Sequence, residues 1–150
     1  MNESNFSQGV ISKAIYLTYK SKRFWTEMVE NSSFNSGPLD GGCRCAAESI
    51  VQAVGKGELV YIASQLNGGQ LEHYGARIEG IIYDFGGCHE TPERWVECFK
   101  KEEQVYGRDL FFVDGIVRHI DNVPQDTECS NKVAGLLRKR MIKAQDSGLY

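Results

Sequence analysis

Residues 73 to 87 read His73-Tyr-Gly-Ala-Arg-Ile-Glu-Gly-Ile-Ile-Tyr-Asp-Phe-Gly-Gly87, and this stretch decides the fold. Two runs rich in aliphatic and aromatic residues flank Glu79-Gly80, a two-residue turn suited to a β-hairpin. With the turn there, Ile78 faces Ile81, Arg77 faces Ile82, Ala76 faces Tyr83, Gly75 faces Asp84 and His73 faces Gly86. Side chains alternate between the two faces of a strand. One face then carries Tyr74, Ala76, Ile78, Ile81, Tyr83 and Phe85 and reads as core. The other carries His73, Gly75, Arg77, Ile82, Asp84 and Gly86 and reads as the face away from the core. His73 and Asp84 are diagonal neighbours on it, about 7–8 Å apart at the backbone, within reach of an imidazole and a carboxylate. Gly75 and Gly86 leave space for a ring opposite each of them.

Working outward, the segment before the hairpin predicts a helix and a strand. Ala46, Ala47, Ile50, Val51 and Val54 follow Cys43 at i+3, i+4, i+7, i+8 and i+11, the spacing of a buried helical stripe. Gly55-Lys-Gly57 ends that helix, Glu58 to Ser64 reads as a strand, and Asn67-Gly-Gly69 as a turn. Upstream, residues 8 to 30 predict a first helix. Its stripe is Ile11, Ala14, Ile15, Thr18, Tyr19 and Lys22, extended by Phe24, Trp25 and Met28. Residues 31 to 42 are dense in turn formers and predict a loop. Downstream, Thr91 caps a helix that Pro92 opens and that carries Trp95, Val96, Cys98 and Phe99. A strand is expected over 109–117, with a turn at Asp114-Gly115, and a last helix over 130–145.

This order predicts an α+β fold, with helices on one side of a small antiparallel sheet. One domain over 1–150 is expected. It divides into a helical segment (1–36), a core carrying the site (37–120) and a C-terminal helix (121–150). The net charge of -3 argues against nucleic acid and anionic membranes as partners. The first eight residues, Met-Asn-Glu-Ser-Asn-Phe-Ser-Gln, hold neither a basic nor an apolar leader. No apolar run is long enough to span a bilayer. A cytoplasmic location is the expectation, and such a domain fits an intracellular bacterial or phage protein. Five cysteines, Cys43, Cys45, Cys88, Cys98 and Cys129, are an odd number without a signal peptide, which favours reduced thiols.

Cys43 follows Gly41-Gly42 at the start of the striped helix. A thiol at a helix N-terminus is favoured as thiolate by unpaired N–H groups and the macrodipole. The same N–H groups can hold an oxyanion, and the two glycines let a substrate backbone approach. Cys45, two residues on, faces about 200° away and loses that terminus, so Cys43 is the preferred nucleophile. With His73 as base and Asp84 as orienter, the chain carries the parts of a nucleophilic cysteine site.

Gly-Gly-Cys at a helix start, then His73 on one strand and Tyr-Asp-Phe-Gly on the next, resembles the papain-like and transglutaminase-like superfamily over about residues 37 to 90. That resemblance implies a nucleophile-bearing helix packed on an antiparallel sheet. It makes Cys43 the nucleophile, His73 the base and Asp84 the residue that orients it. It implies a thiol hydrolase, peptidase or acyltransferase acting on a peptide, isopeptide or side-chain amide through a thioacyl-enzyme, with a protein or peptide substrate and no cofactor. Asp in the third place is nearer the transglutaminase branch than papain. No Gln lies between Asn31 and Gly42, where papain-type enzymes carry one, and this keeps open a non-catalytic binding or inhibitory module on the same fold. A small zinc site using Cys43, Cys45, Cys88 and His89 is a further alternative, although Cys-x-Cys and Cys-His depart from the usual ligand spacing. Otherwise His89 and His119 read as structural or solvent-facing. The basic residues Lys132, Arg138, Lys139, Arg140 and Lys143 read as a solvated helix end. Trp25, Trp95 and Phe111-Phe112 read as core.

Overall fold

A computed structural model describes residues 5–24, 42–64, 70–103, 109–114 and 127–148. The described elements run α1 (Gln8–Tyr19), α2 (Gly42–Val54), β1 (Glu58–Ser64), β2 (Gln70–Ile78), β3 (Ile81–Asp84), β4 (Gly87–His89), α3 (Pro92–Glu103), β5 (Leu110–Val113) and α4 (Thr127–Asp146). The strands form one antiparallel sheet in the order β4-β3-β2-β1-β5. The architecture is α+β.

The hairpin has the expected register: Ile78 pairs with Ile81, Arg77 with Ile82 and Ala76 with Tyr83. Glu79 (φ 51°) and Gly80 (φ 84°) both take positive φ, as a two-residue primed turn requires. The Lys56 ammonium holds the Glu79 carboxylate at 2.6 Å.

The expectation of helices on one side is corrected. Ala46, Ile50 and Ala53 of α2 pack with α1 and α4 onto Ala76, Ile78 and Tyr83. On the opposite face, Trp95, Val96 and Phe99 of α3 cover Val60, Ile62, Ile82 and Leu110 in a second core. Near the hairpin end of that face Arg77 reaches outward, where Glu58 and Asp114 take its guanidinium at 2.6 and 2.7 Å. His73 and Asp84 therefore lie under α3, on a face that polarity had suggested was open.

Several boundaries also move. Helix α1 ends at Tyr19, not at residue 30. Ser21 Oγ accepts from the Phe24 N–H and starts a new helical turn, so the first helix stops and Lys22 is exposed. Trp25, Met28 and the 31–41 loop lie outside the described residues, as do the Asn67-Gly-Gly69 turn, residues 115–117 and His119. Helix α4 runs further at both ends than expected, from Thr127 to Asp146. Arg138, read as part of a solvated basic end, donates from Nη1 to the Ala53 carbonyl near the end of α2 at 2.8 Å. Phe112 packs on the second core, whereas Phe111 is exposed.

Strand β4 was not foreseen. The chain turns at Phe85-Gly86 and pairs back on β3, with Asp84 opposite Gly87, Tyr83 opposite Cys88 and Ile82 opposite His89. Three residues are too few to show an alternating pattern. The β1–β2 ladder also shifts register: Ile62 faces His73, but Ala63 faces Leu71. Glu72 is the extra residue. A bulge of this kind bends a strand and re-aims the adjacent side chains, here immediately before His73.

Candidate active site

Cys43 is the second residue of α2, in the turn whose N–H groups have no partner inside the helix. Its side chain is 2% exposed and packs with Ala47 and Tyr74. Gly42 opens the helix, while Gly41 lies outside the described residues. The expected position of the cysteine at a helix start is thus observed.

His73 and Asp84 are brought together. His73 Nε2 lies 3.0 Å from Asp84 Oδ2. His73 is 1% exposed and Asp84 4%. An ionised carboxylate only accepts, so Nε2 carries the proton. The other ring nitrogen, Nδ1, is buried and has no hydrogen-bond partner among the described residues. The ring stacks on Phe99, with centroids 4.8 Å apart and planes 19° apart, and meets Phe85 edge-on at 6.3 Å. These contacts fix its plane.

Asp84 is an unusually well-satisfied buried charge. Oδ2 accepts from His73 Nε2 and from Trp95 Nε1 at 3.0 Å. Oδ1 accepts from the Gly86 N–H at 2.9 Å and from His89 Nε2 at 3.1 Å. Burial would raise the pKa of this carboxyl, but its hydrogen bonds with His73 and His89 outweigh that and hold it well below the usual carboxylate range. Burial would likewise lower the pKa of His73. The Asp84 hydrogen bond and the neighbouring Cys43 sulfur outweigh it and push the imidazole up to about 9. His73 and Asp84, named from sequence, therefore meet, and Cys43 acts on the ring as a nearby sulfur that raises its pKa.

Two residues that hold Asp84 were missed. Trp95 was read as core alone; it is fully buried, yet its indole N–H serves the carboxylate. Nothing in the sequence signals this. His89 was read as structural or solvent-facing; its side chain is only 10% exposed and faces Asp84. Its pairing with Ile82 puts it on that face, so recognising β4 would have found it.

The spaces opposite the pair are used differently from the expectation. Gly75 makes room for the Trp95 indole rather than for an imidazole. A Cβ at Gly75 would lie 2.6 Å from Trp95 Cζ2 and 2.9 Å from Cη2. Gly86 is a turn residue, where a Cβ would come within 3.2 Å of Asp84 Oδ1. Gly75→Ala is accordingly expected to push the indole off Asp84 and destabilise the fold by about 1–3 kcal/mol. Gly135→Ala at an exposed position of α4, where a Cβ meets nothing within 4 Å, is expected to be neutral or slightly stabilising. Urea unfolding of the two variants checks the contrast, and equal effects would refute it.

The proposed zinc set does not converge. Cys43 packs on Tyr74, Cys45 lies against Cys129 of α4, Cys88 accepts from Gln8 Nε2, and His89 serves Asp84. Among the described residues no group of three or more His, Cys, Asp or Glu side chains is placed to hold a metal ion. Cys98 is a poor rival nucleophile: burial and then Glu102 push its thiol up to about 11. A cleft of about 280 Å³, lined by Tyr16, Tyr19, Lys20, Phe85, Gly86 and Gly87, opens beside Phe85, the ring that meets His73 edge-on. Among the described residues no helix is long and apolar enough to cross a membrane. Comparison of the chain with protein-family models, with curated proteins and with solved structures finds no match.

Proposed function

We propose that this chain is a cysteine-nucleophile acyl-transfer enzyme of papain-like or transglutaminase-like type, acting on a peptide, isopeptide or side-chain amide. The observation that carries this reading is the buried imidazole of His73. It is bonded through Nε2 to Asp84, Nδ1 has no described hydrogen-bond partner, and the Cys43 sulfur is close enough to help raise the ring's pKa.

The chemistry follows from that arrangement. His73 first releases its Nδ1 proton; Cys43 Sγ then attacks the carbonyl carbon while the thiol proton passes to that nitrogen. Asp84 stabilises the resulting imidazolium and keeps the ring in register. The backbone N–H of Cys43, at the start of α2, donates to the oxyanion. His73 then returns the proton to the departing amine, the C–N bond breaks, and a thioester remains on Cys43. Water or a second amine, deprotonated by His73, attacks the thioester and regenerates the thiol.

Iodoacetamide labelling at pH 6–7, read by peptide mapping, tests the reading. Trypsin cleaves after Arg44, so Cys43 and Cys45 fall on separate peptides. Selective, fast carbamidomethylation of Cys43 is expected. The second reading, a non-catalytic module on this fold, draws on the 2% exposure of Cys43. Its expected result is uniformly slow labelling of all five cysteines, which would sink the enzyme.

A further inference from the structure

We propose that Cys45 and Cys129 form a reversible disulfide that clamps α2 to α4, with a low-molecular-weight disulfide such as glutathione disulfide as the oxidant. The two sulfurs lie 2.6 Å apart, inside the van der Waals contact of two sulfur atoms and about half an ångström from a bonded S–S distance. Cys45 is 2% exposed and Cys129 3%, and both belong to the core that joins α1, α2 and α4.

The surroundings hold the pair together independently of any bond. Gln52 Nε2, two turns beyond Cys45, donates to Asn131 Oδ1, two residues beyond Cys129, at 2.9 Å, and Arg138 reaches the Ala53 carbonyl further along the same helices. These contacts fix the two helices in the register that brings the sulfurs into line. Tyr19 of α1 closes the third side; after burial, Cys45 and Cys129 are the next causes that raise its phenol pKa. Cys43 is kept out of the exchange. It stands about 200° round the helix from Cys45, against Tyr74 and beside His73. One helix therefore presents two thiols, two residues apart, with different surroundings and different chemistry.

The step balances as thiol–disulfide exchange. One protein thiolate attacks the small disulfide, its S–S bond breaks, and one small thiolate leaves. The second protein thiolate attacks the protein sulfur of that mixed disulfide and expels the other small thiolate. The protein loses two electrons and two protons, and the small disulfide gains both as two thiols. Because both cysteines are buried, exchange runs through local opening of the α2–α4 pair, so the bond forms slowly and is then shielded from reductant.

The test uses the full chain equilibrated in glutathione buffers from fully reducing to fully oxidising, then alkylated under denaturing conditions and digested with trypsin. The expected result in the oxidising buffers is one linked peptide pair joining Cys45 to Cys129, with Cys43, Cys88 and Cys98 alkylated. The closed loop is long, so thermal unfolding of the oxidised form is expected roughly 10 °C above the reduced form. Cys129→Ser is expected to abolish both the linked pair and the dependence of Tm on redox buffer, while leaving the labelling rate of Cys43 unchanged. Alkylation of all five cysteines in the oxidising buffers, or a linkage through Cys43, Cys88 or Cys98, would overturn the proposal. That outcome bears on Cys45 and Cys129 alone; the enzyme reading rests on Cys43 labelling and stands or falls separately.

Discussion

Asp84→Ala is expected to destabilise the fold by about 3–5 kcal/mol, measured by urea unfolding at neutral pH. The size follows from what the carboxylate satisfies. His73 Nε2, Trp95 Nε1, His89 Nε2 and the Gly86 N–H all converge on it within 3.1 Å. Three of the four donors belong to side chains that are buried or nearly so, and truncation leaves them unpaired beside an apolar ring cluster. Asp84→Asn retains the shape but presents an NH₂ group to one of the two donor pairs, so an intermediate loss is expected. Trp95→Phe removes a single donor and is expected to cost about 1 kcal/mol. The charge also sets the acid limit of stability. The folded-state pKa of Asp84 is depressed, so its contribution is present above the unfolded value near 4 and is lost as pH falls towards the folded value. Wild type should therefore lose more stability on acidification than Asp84→Ala does. A loss below 1 kcal/mol in Asp84→Ala at neutral pH would mean that water replaces the carboxylate, and that the cluster is not the closed network drawn here.

What the sequence made legible and what it hid divide along physical lines. The Glu79-Gly80 turn sets the hairpin register by local chemistry, and the 3.6-residue stripe after Cys43 sets α2 in the same way. Both depend on neighbours within a few residues. From them came Cys43, His73 and Asp84, the first at a helix start and the other two on one face. Their burial was misread because polarity is an unsafe guide to exposure on a sheet with two cores. His73 and Asp84 are polar, but Trp95 and Phe99, eleven to twenty-six residues downstream, close over them. The Glu72 bulge leaves no periodic trace, and β4 is too short to show an alternating pattern. The Cys45–Cys129 contact spans 84 positions and could be anticipated only from the packing of α2 on α4. The odd cysteine count, read as evidence for reduced thiols, is compatible with one buried pair and three others.

Replacing His73 is expected to have the largest effect on reactivity, because it removes the acceptor of the thiol proton. At pH 7, His73→Ala should slow carbamidomethylation of Cys43 about a hundredfold, the lower end of what a positioned base supplies. Since Ala also strips a partner from Asp84, His73→Gln is the cleaner variant: its amide can still donate to the carboxylate, but it cannot take a proton. It should be nearly as slow as His73→Ala while unfolding at a urea concentration closer to wild type. A reduction under threefold in both variants would show that Cys43 does not use this base. The same variant reports on stability through a second property. Asp84 and Cys43 overcome the effect of burial and raise the folded His73 pKa to about 9, whereas the unfolded chain releases that proton near 6.5. The folded state thus binds more protons between these values. The stabilisation is fully present below about pH 6.5 and is lost as pH rises through about 9, up to about 3 kcal/mol in all. Wild type should become easier to unfold across that window, and His73→Gln should remove most of the slope. A pH-independent wild type would mean that the site takes up no extra proton on folding: the imidazole is then neutral, or its proton comes from the Cys43 thiol.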